Sequence, residues 1–360
     1  MQINDLIIYI MILFMIVGAI DRIFGNKLGY GKKFEEGIMA MGSLGLSMIG
    51  IICLSPVIAN FLNPIISPLY NFFGIDPGLF PGTILANDMG GYSLGMELAH
   101  TKEGGYLGGL ILSATLGATL SFSIPVSMGM IKKEDEKYLS KGILAGIITV
   151  PFGCFLGGLV AGFNIKFLIL NLIPTFILTI ILGLLLFKYP KKIASGFLIF
   201  GKIITILITI GFALESIRIL TGVVIVKNMI SALEAGETVC KIAMVLSGAF
   251  PLVYFITNIF KKFLIKIGKI LDVNENSVAG FIACLAHNIP MLALVKDMDP
   301  KGKIMNIAFS VSGAFVFGSH LGFTAGIEKS MVVPVIVAKL SGGILAMFVG
   351  NLLYKLEKNN

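Results

Sequence analysis

A single carboxylate, Asp88, stands in Asn87-Asp88-Met89-Gly90-Gly91 with apolar residues on either side. A charge in such surroundings is expensive and is usually placed for function, to hold a cation or to exchange a proton. The plainer alternative is that Asp88 caps a following helix through its backbone N–H groups. Asn87, and Asn288 in the second polar break His287-Asn288-Ile289-Pro290, offer both donors and acceptors. They suit a hydroxyl or an amine, or equally the stabilisation of their own turns. Met89 and Gly90 complete the first break, and Gly90 lets the chain turn and approach a ligand closely. Tyr92 can set a ring face against an ammonium or simply pack. His287 and His320, the latter in Gly318-Ser319-His320-Leu321-Gly322, join His100 as the only histidines, and each can titrate near neutrality or sit hydrogen-bonded in a core. Ser319 completes the candidate set. Glu97 with His100, and Glu215 with Arg218, have the spacing of local helix pairs.

These residues need elements that hold polar groups inside an apolar chain. Of 360 residues only 13% are charged, against roughly 25% in soluble domains, and the apolar fraction is 56% with mean hydropathy +0.94. Apolar stretches at 3–20, 37–59, 104–130, 140–162, 167–187, 196–217, 239–260, 303–327 and 331–354 are each long enough to cross a bilayer. Two more, 79–99 and 277–295, are interrupted by the polar breaks. The fold class expected is an all-α polytopic integral membrane protein with eleven apolar segments: nine full transmembrane helices and two re-entrant helical hairpins. The first segment ends at Asp21-Arg22 without a cleavage site and reads as a retained helix.

The distribution of bases selects this topology. With both broken segments re-entrant and the N-terminus outside, only Lys102, Lys166, Arg218, Lys227, Lys241, Lys329 and Lys339 of the 28 Lys and Arg lie outside. If both segments span, the bases divide evenly, which the positive-inside rule does not expect. The order of elements then repeats as two spans, a hairpin and two spans. Residues 1–165 and 191–360 become two inverted-topology repeats joined by a linker helix at 166–190. Pairs at a constant spacing of 198 residues, such as Gly82 with Gly280 and Gly104 with Gly302, are near chance in so Gly-rich a chain. The repeat therefore rests on element order and charge.

The chain holds no Ser/His/Asp set, no His-Glu-x-x-His zinc pair and no Gly-rich nucleotide loop, so no enzymatic chemistry, metal or cofactor is expected. Its basic balance lies in short clusters beside apolar segments, which suits anionic lipid and not nucleic acid. Cys53, Cys154, Cys240 and Cys284 sit within apolar runs and are expected to pack as small hydrophobes.

Four segments carry a family likeness. Phe34-Glu35-Glu36-Gly37-Ile38-Met39-Ala40-Met41-Gly42, Asn87-Asp88-Met89-Gly90-Gly91, Asn288-Ile289-Pro290-Met291 and His320-Leu321-Gly322-Phe323 resemble the ethanolamine-utilisation permease family, EutH. The resemblance implies a multi-pass protein of a bacterial inner membrane that admits ethanolamine. Ethanolamine, a primary amine like lysine, is mostly protonated at neutral pH. Asp88 is then expected to bind the ammonium, with Asn87, Asn288 and His287 at the hydroxyl and access alternating between the two faces. The uptake of a cation is favoured by about 2.3 kcal/mol per 100 mV of inside-negative potential, so potential-driven facilitated diffusion is expected. Proton- or ion-coupled symport of another small amine, and a non-transporting membrane sensor or scaffold, are the alternatives. A homodimer is expected from transporters of similar architecture.

Overall fold

The computed structural model describes residues 3–358; within that range the side chains at 187, 190, 191, 194, 260–267, 269, 357 and 358 are not described. Lys191, Lys261, Lys262, Lys266, Lys269 and Lys358, all counted as cytoplasmic bases, thus lie outside the described side chains. Every regular element in the described residues is helical. The order is α1 (Ile3–Ile23), α2 (Tyr30–Phe72), α3 (Leu79–Ile84), α4 (Gly91–Leu98), α5 (Lys102–Tyr106), α6 (Ile124–Met130), α7 (Glu136–Val160), α8 (Ile165–Lys188), α9 (Pro190–Thr221), α10 (Ala232–Leu271), α11 (Glu275–Ala286), α12 (Asn288–Leu294), α13 (Pro300–Gly313), α14 (Ser319–Ile327) and α15 (Val332–Lys358). Among the described residues, eight helical stretches are long and apolar enough to cross a membrane. The chain is a polytopic membrane protein.

Both polar breaks interrupt helices. Between α3 and α4 the chain makes one short turn at Asn87–Met89, and Gly90, at φ 99°, takes the left-handed conformation that glycine adopts without strain. The segment then folds back, so that Gly78 at its start lies against Ala99 at its end. One buried carboxylate ties the two ends together. Asp76 Oδ1 accepts from the N–H of Gly78 (2.9 Å) and of His100 (3.2 Å), and its Oδ2 accepts from Thr101 N (2.9 Å) and Thr101 Oγ1 (2.7 Å). The α11–α12 segment is closed in a similar way, by Asn274 N and Ser277 Oγ donating to Asp299 Oδ1 at 2.8 and 2.9 Å.

The segment 102–130 is continuous but carries π-helical stretches over Leu107–Gly117 and Thr119–Ser123, a wider winding often found at functional sites. It packs on α3 by direct backbone contact. A Cβ added to Gly82 would stand 2.1 Å from the Gly108 carbonyl oxygen. Since backbone cannot yield as a side-chain tip does, Gly82→Val is expected to abolish the folded protein, read as loss of the monodisperse peak in detergent chromatography. A variant that remains monodisperse with an unchanged melting midpoint contradicts that packing.

The stretch 303–327 differs from expectation. It is two helices, α13 and α14, separated by unwound chain at 314–318 in which Phe315 has φ 63°. The opened backbone is not left unpaired: Phe315 N donates to the Cys284 carbonyl at 3.1 Å and Phe317 N to that of Leu285 at 2.9 Å. Backbone released at membrane depth is thereby satisfied by the end of α11, as a low-dielectric setting requires.

Other local expectations divide. The Glu215–Arg218 pair forms, with Arg218 Nε donating to Glu215 Oε1 at 2.7 Å. The imidazole of His100 instead meets Asn71 Oδ1 at 3.0 Å, drawn there because Asp76 holds the His100 backbone beside the end of α2. The four cysteines are free, and Cys53, Cys154 and Cys284 are buried.

Candidate functional site

The two turned tips and the unwound 314–318 stretch meet around one cavity of about 890 Å³. Its floor is made by Asp88 and Met89 from the first tip, His287 from the second, and Phe315, Ser319 and His320 from the unwound stretch and the start of α14. Its walls are α2, α10 and α11, with Ser43, Ser47, Thr257 and Asn258 contributing polar groups. At the far end stand Lys33 and Glu36, a partly exposed ion pair with Nζ–Oε2 at 2.7 Å.

Asp88 occupies the floor as a half-buried carboxylate, and among the described residues no side chain donates to it. The capping alternative fails on geometry: the N-cap of α4 is Gly90, and no side chain caps that helix. A carboxylate open to a cavity and bonded by no protein cation is placed to take a cation from the cavity.

Of the other sequence-selected residues, Met89, His287, Ser319 and His320 also line the cavity, whereas Asn87, Asn288, Gly90 and Tyr92 do not. Asn87 and Asn288 are each only 1% exposed. Asn87 Oδ1 accepts from Asp88 N at 3.0 Å, and Asn288 Nδ2 donates to Ser123 Oγ at 2.9 Å. These contacts turn the amides away from the cavity and leave Asn87 Nδ2 and Asn288 Oδ1 without partners. Tyr92 packs edge-on against Phe323 with centroids 5.7 Å apart. Near it Tyr106 donates its hydroxyl to Glu328, a bond that holds the Glu328 carboxyl below the usual carboxylate range.

The histidines are positioned by different partners. His287 Nδ1 accepts from Ile289 N at 3.1 Å and so caps α12, and its ring packs edge-on against Phe315 at 4.7 Å. His320 is 2% exposed and directs Nδ1 at Lys339 Nζ, 3.1 Å away. Lys339 is the functional candidate that sequence reasoning missed. It was counted as an outer-face base, yet it lies inside α15 and is 1% exposed. Its place within the apolar stretch 331–354 was the available signal, since a lysine inside a membrane segment is costly wherever the loops fall.

The profile of the family described as "Ethanolamine utilisation protein, EutH" matches residues 3–353. A protein of Listeria monocytogenes named "Probable ethanolamine permease EutH" is 52% identical over 350 residues, which cover 97% of this chain and 94% of that one. A protein of Escherichia coli with the same name is 41% identical over 99% of this chain and 97% of its own. One from Bacillus subtilis, named "Uncharacterized protein YxeR", is 45% identical over 96% of this chain and 94% of its own. No solved structure matches the chain.

Proposed function

Because this chain belongs to the EutH family and is a multi-pass protein of a bacterial inner membrane, we propose that it is a secondary transporter that takes up ethanolamine, bound as its ammonium cation at Asp88. The observation that carries this reading is the Asp88 carboxylate, open to the cavity and bonded by no side chain among the described residues. Small hydroxylated cations fit the rest of the floor: the imidazole of His287 and the hydroxyl of Ser319 can meet a hydroxyl. The unpartnered Asn87 Nδ2 and Asn288 Oδ1 stand ready behind the tips for a ligand that draws the tips together. No bond-making chemistry is proposed, in keeping with relatives named as permeases.

The same reading treats 79–99 and 277–295 as re-entrant hairpins that enter from opposite faces within two inverted repeats, 1–165 and 191–360, joined by α8. Their fold-back at Asp76 and Asp299 supports this. So does the spacing of 198 residues, which relates contacting positions as well as letters. Gly82 lies against Gly108 as Gly280 lies against Asn306, and Thr101 caps Gly104 N as Asp299 caps Gly302 N. With Lys33 and Glu36 on the cytoplasmic side, the cavity faces inward, and the Tyr92–Phe323 and Tyr106–Glu328 contacts shut the outer path. Alternating access would reverse the two. Cysteines placed at Phe73 and Lys102, which flank the 79–99 segment and are both exposed, should with Cys240 replaced be labelled from the same face by an impermeant maleimide; labelling from opposite faces would rule out the first hairpin. The homodimer expectation is tested by the mass of the detergent-solubilised particle.

Uptake of labelled ethanolamine into liposomes containing the purified chain tests the function. Saturable uptake above that of protein-free liposomes is expected, and saturable binding without flux would favour a membrane sensor.

A further inference from the structure

Lys339 does not itself line the cavity, but its Nζ lies 3.1 Å from Nδ1 of His320, which does. Its Nζ donates to the Ala114 carbonyl of the π-helical stretch and meets His320 Nδ1, so neither of its hydrogen-bond acceptors is a carboxylate. The other titratable groups whose charge acts on it are Cys284 of α11, Asp88 at the first tip and Cys154 of α7, while His287 is the further group that acts on His320. Asp88 is thus the acid in this neighbourhood, and it is also the carboxylate that an ethanolamine cation needs. A buried ammonium is costly without a counter-charge, and lysine, unlike arginine, can shed its proton when buried. His320 joins Lys339 to the cavity, since its Nδ1 meets Lys339 and the residue is part of the cavity lining.

We propose that Lys339 and His320 form a proton-exchange site, so that each ethanolamine cation docking on Asp88 displaces one proton from Lys339. The inference rests on the assignment of Asp88 as the ammonium site. In the step, an N–H bond of the Lys339 ammonium breaks and its proton bonds to the lone pair of His320 Nδ1. The proton on Nε2 leaves to water in the cavity. Lysine is left as a neutral amine that accepts from the new Nδ1–H, and imidazole is left neutral in its other tautomer. When ethanolamine departs, the same protons return by the reverse path. The carrier then has the same charge loaded and empty, and the net movement is that of the neutral base. Potential-driven uptake, expected from the sequence alone, gives way to electroneutral exchange.

The test is proton release on binding. Purified full-length protein in weakly buffered detergent solution, at a pH of about 6 to 7, is titrated with ethanolamine hydrochloride adjusted to the same pH, with a pH-indicator dye and a parallel measurement of binding heat. Wild type is expected to release close to one proton per ligand bound. Lys339→Met is expected to bind and release none, whereas Lys339→Arg, which keeps its charge, is expected to lose binding. Wild-type binding without proton release overturns the proposal. Release that persists in Lys339→Met also overturns it, since the proton would then come from Asp88. A chain that gives neither heat nor release sinks the Asp88 reading and the exchange with it, and is told apart from the other outcomes by the missing heat. If neither Lys339 variant folds, wild-type proteoliposomes decide the matter. Electroneutral exchange predicts that an imposed 100 mV leaves the accumulation ratio of labelled ethanolamine unchanged, while uncompensated cation uptake predicts a rise of about 50-fold.

Discussion

Asp88→Asn is expected to abolish saturable ethanolamine uptake while leaving the protein folded. The change removes one charge and almost no volume, and among the described residues the carboxylate holds no other side chain, so the fold loses little. Removing one partner of a desolvated charge pair costs about 2–5 kcal/mol, which weakens binding by about 30-fold to a few thousand-fold. Labelled uptake, with a melting curve on the same preparation, checks both halves of the statement. Wild-type affinity and flux in the mutant across pH would show that the ammonium binds elsewhere, and a collapsed melting midpoint would show that Asp88 is structural.

Asp76→Ala is expected to have the opposite profile, with a large loss of stability at a residue that does not line the cavity around Asp88. The Asp76 side chain is 7% exposed in its residue environment and accepts four hydrogen bonds that close the 79–99 segment. Hydrogen bonds to a charged group contribute roughly 1.5–3 kcal/mol each, and their buried donors would be stranded. Because these effects do not add, the net cost is about 3–5 kcal/mol, or a fall in the melting midpoint on the order of 10 °C. Scanning fluorimetry in detergent measures it. A midpoint within about 2 °C of wild type would contradict the role of Asp76 in closing the segment.

How far the sequence revealed this arrangement depends on what each feature rests on. The helical, polytopic character is a matter of apolar run length and was plain, as were both tips, because Asn, Asp, Gly and Pro within apolar runs are local signals. Asp88, His287 and His320 were legible as polar groups whose burial needs a reason. The unwinding at 314–318 was not, since the residues there are apolar and the stretch is held open by carbonyls of Cys284 and Leu285, a tertiary contact. For the same reason the partner of Asn288 was not legible: Ser123, to which its amide donates, is 165 positions distant. Lys339 was visible but was assigned to a loop by charge counting, and only the packing of α15 beside α14 shows that it faces His320.

The direct test of the central claim is competition against labelled ethanolamine uptake in wild-type proteoliposomes by two fragments of the substrate. Ethylammonium keeps the cation and lacks the hydroxyl; ethylene glycol keeps a hydroxyl and lacks the cation. With Asp88 as the ammonium site, ethylammonium inhibits and ethylene glycol at equal concentration does not. Equal inhibition by the two, or inhibition by the glycol alone, would mean that the cavity does not recognise its substrate through the charge of Asp88.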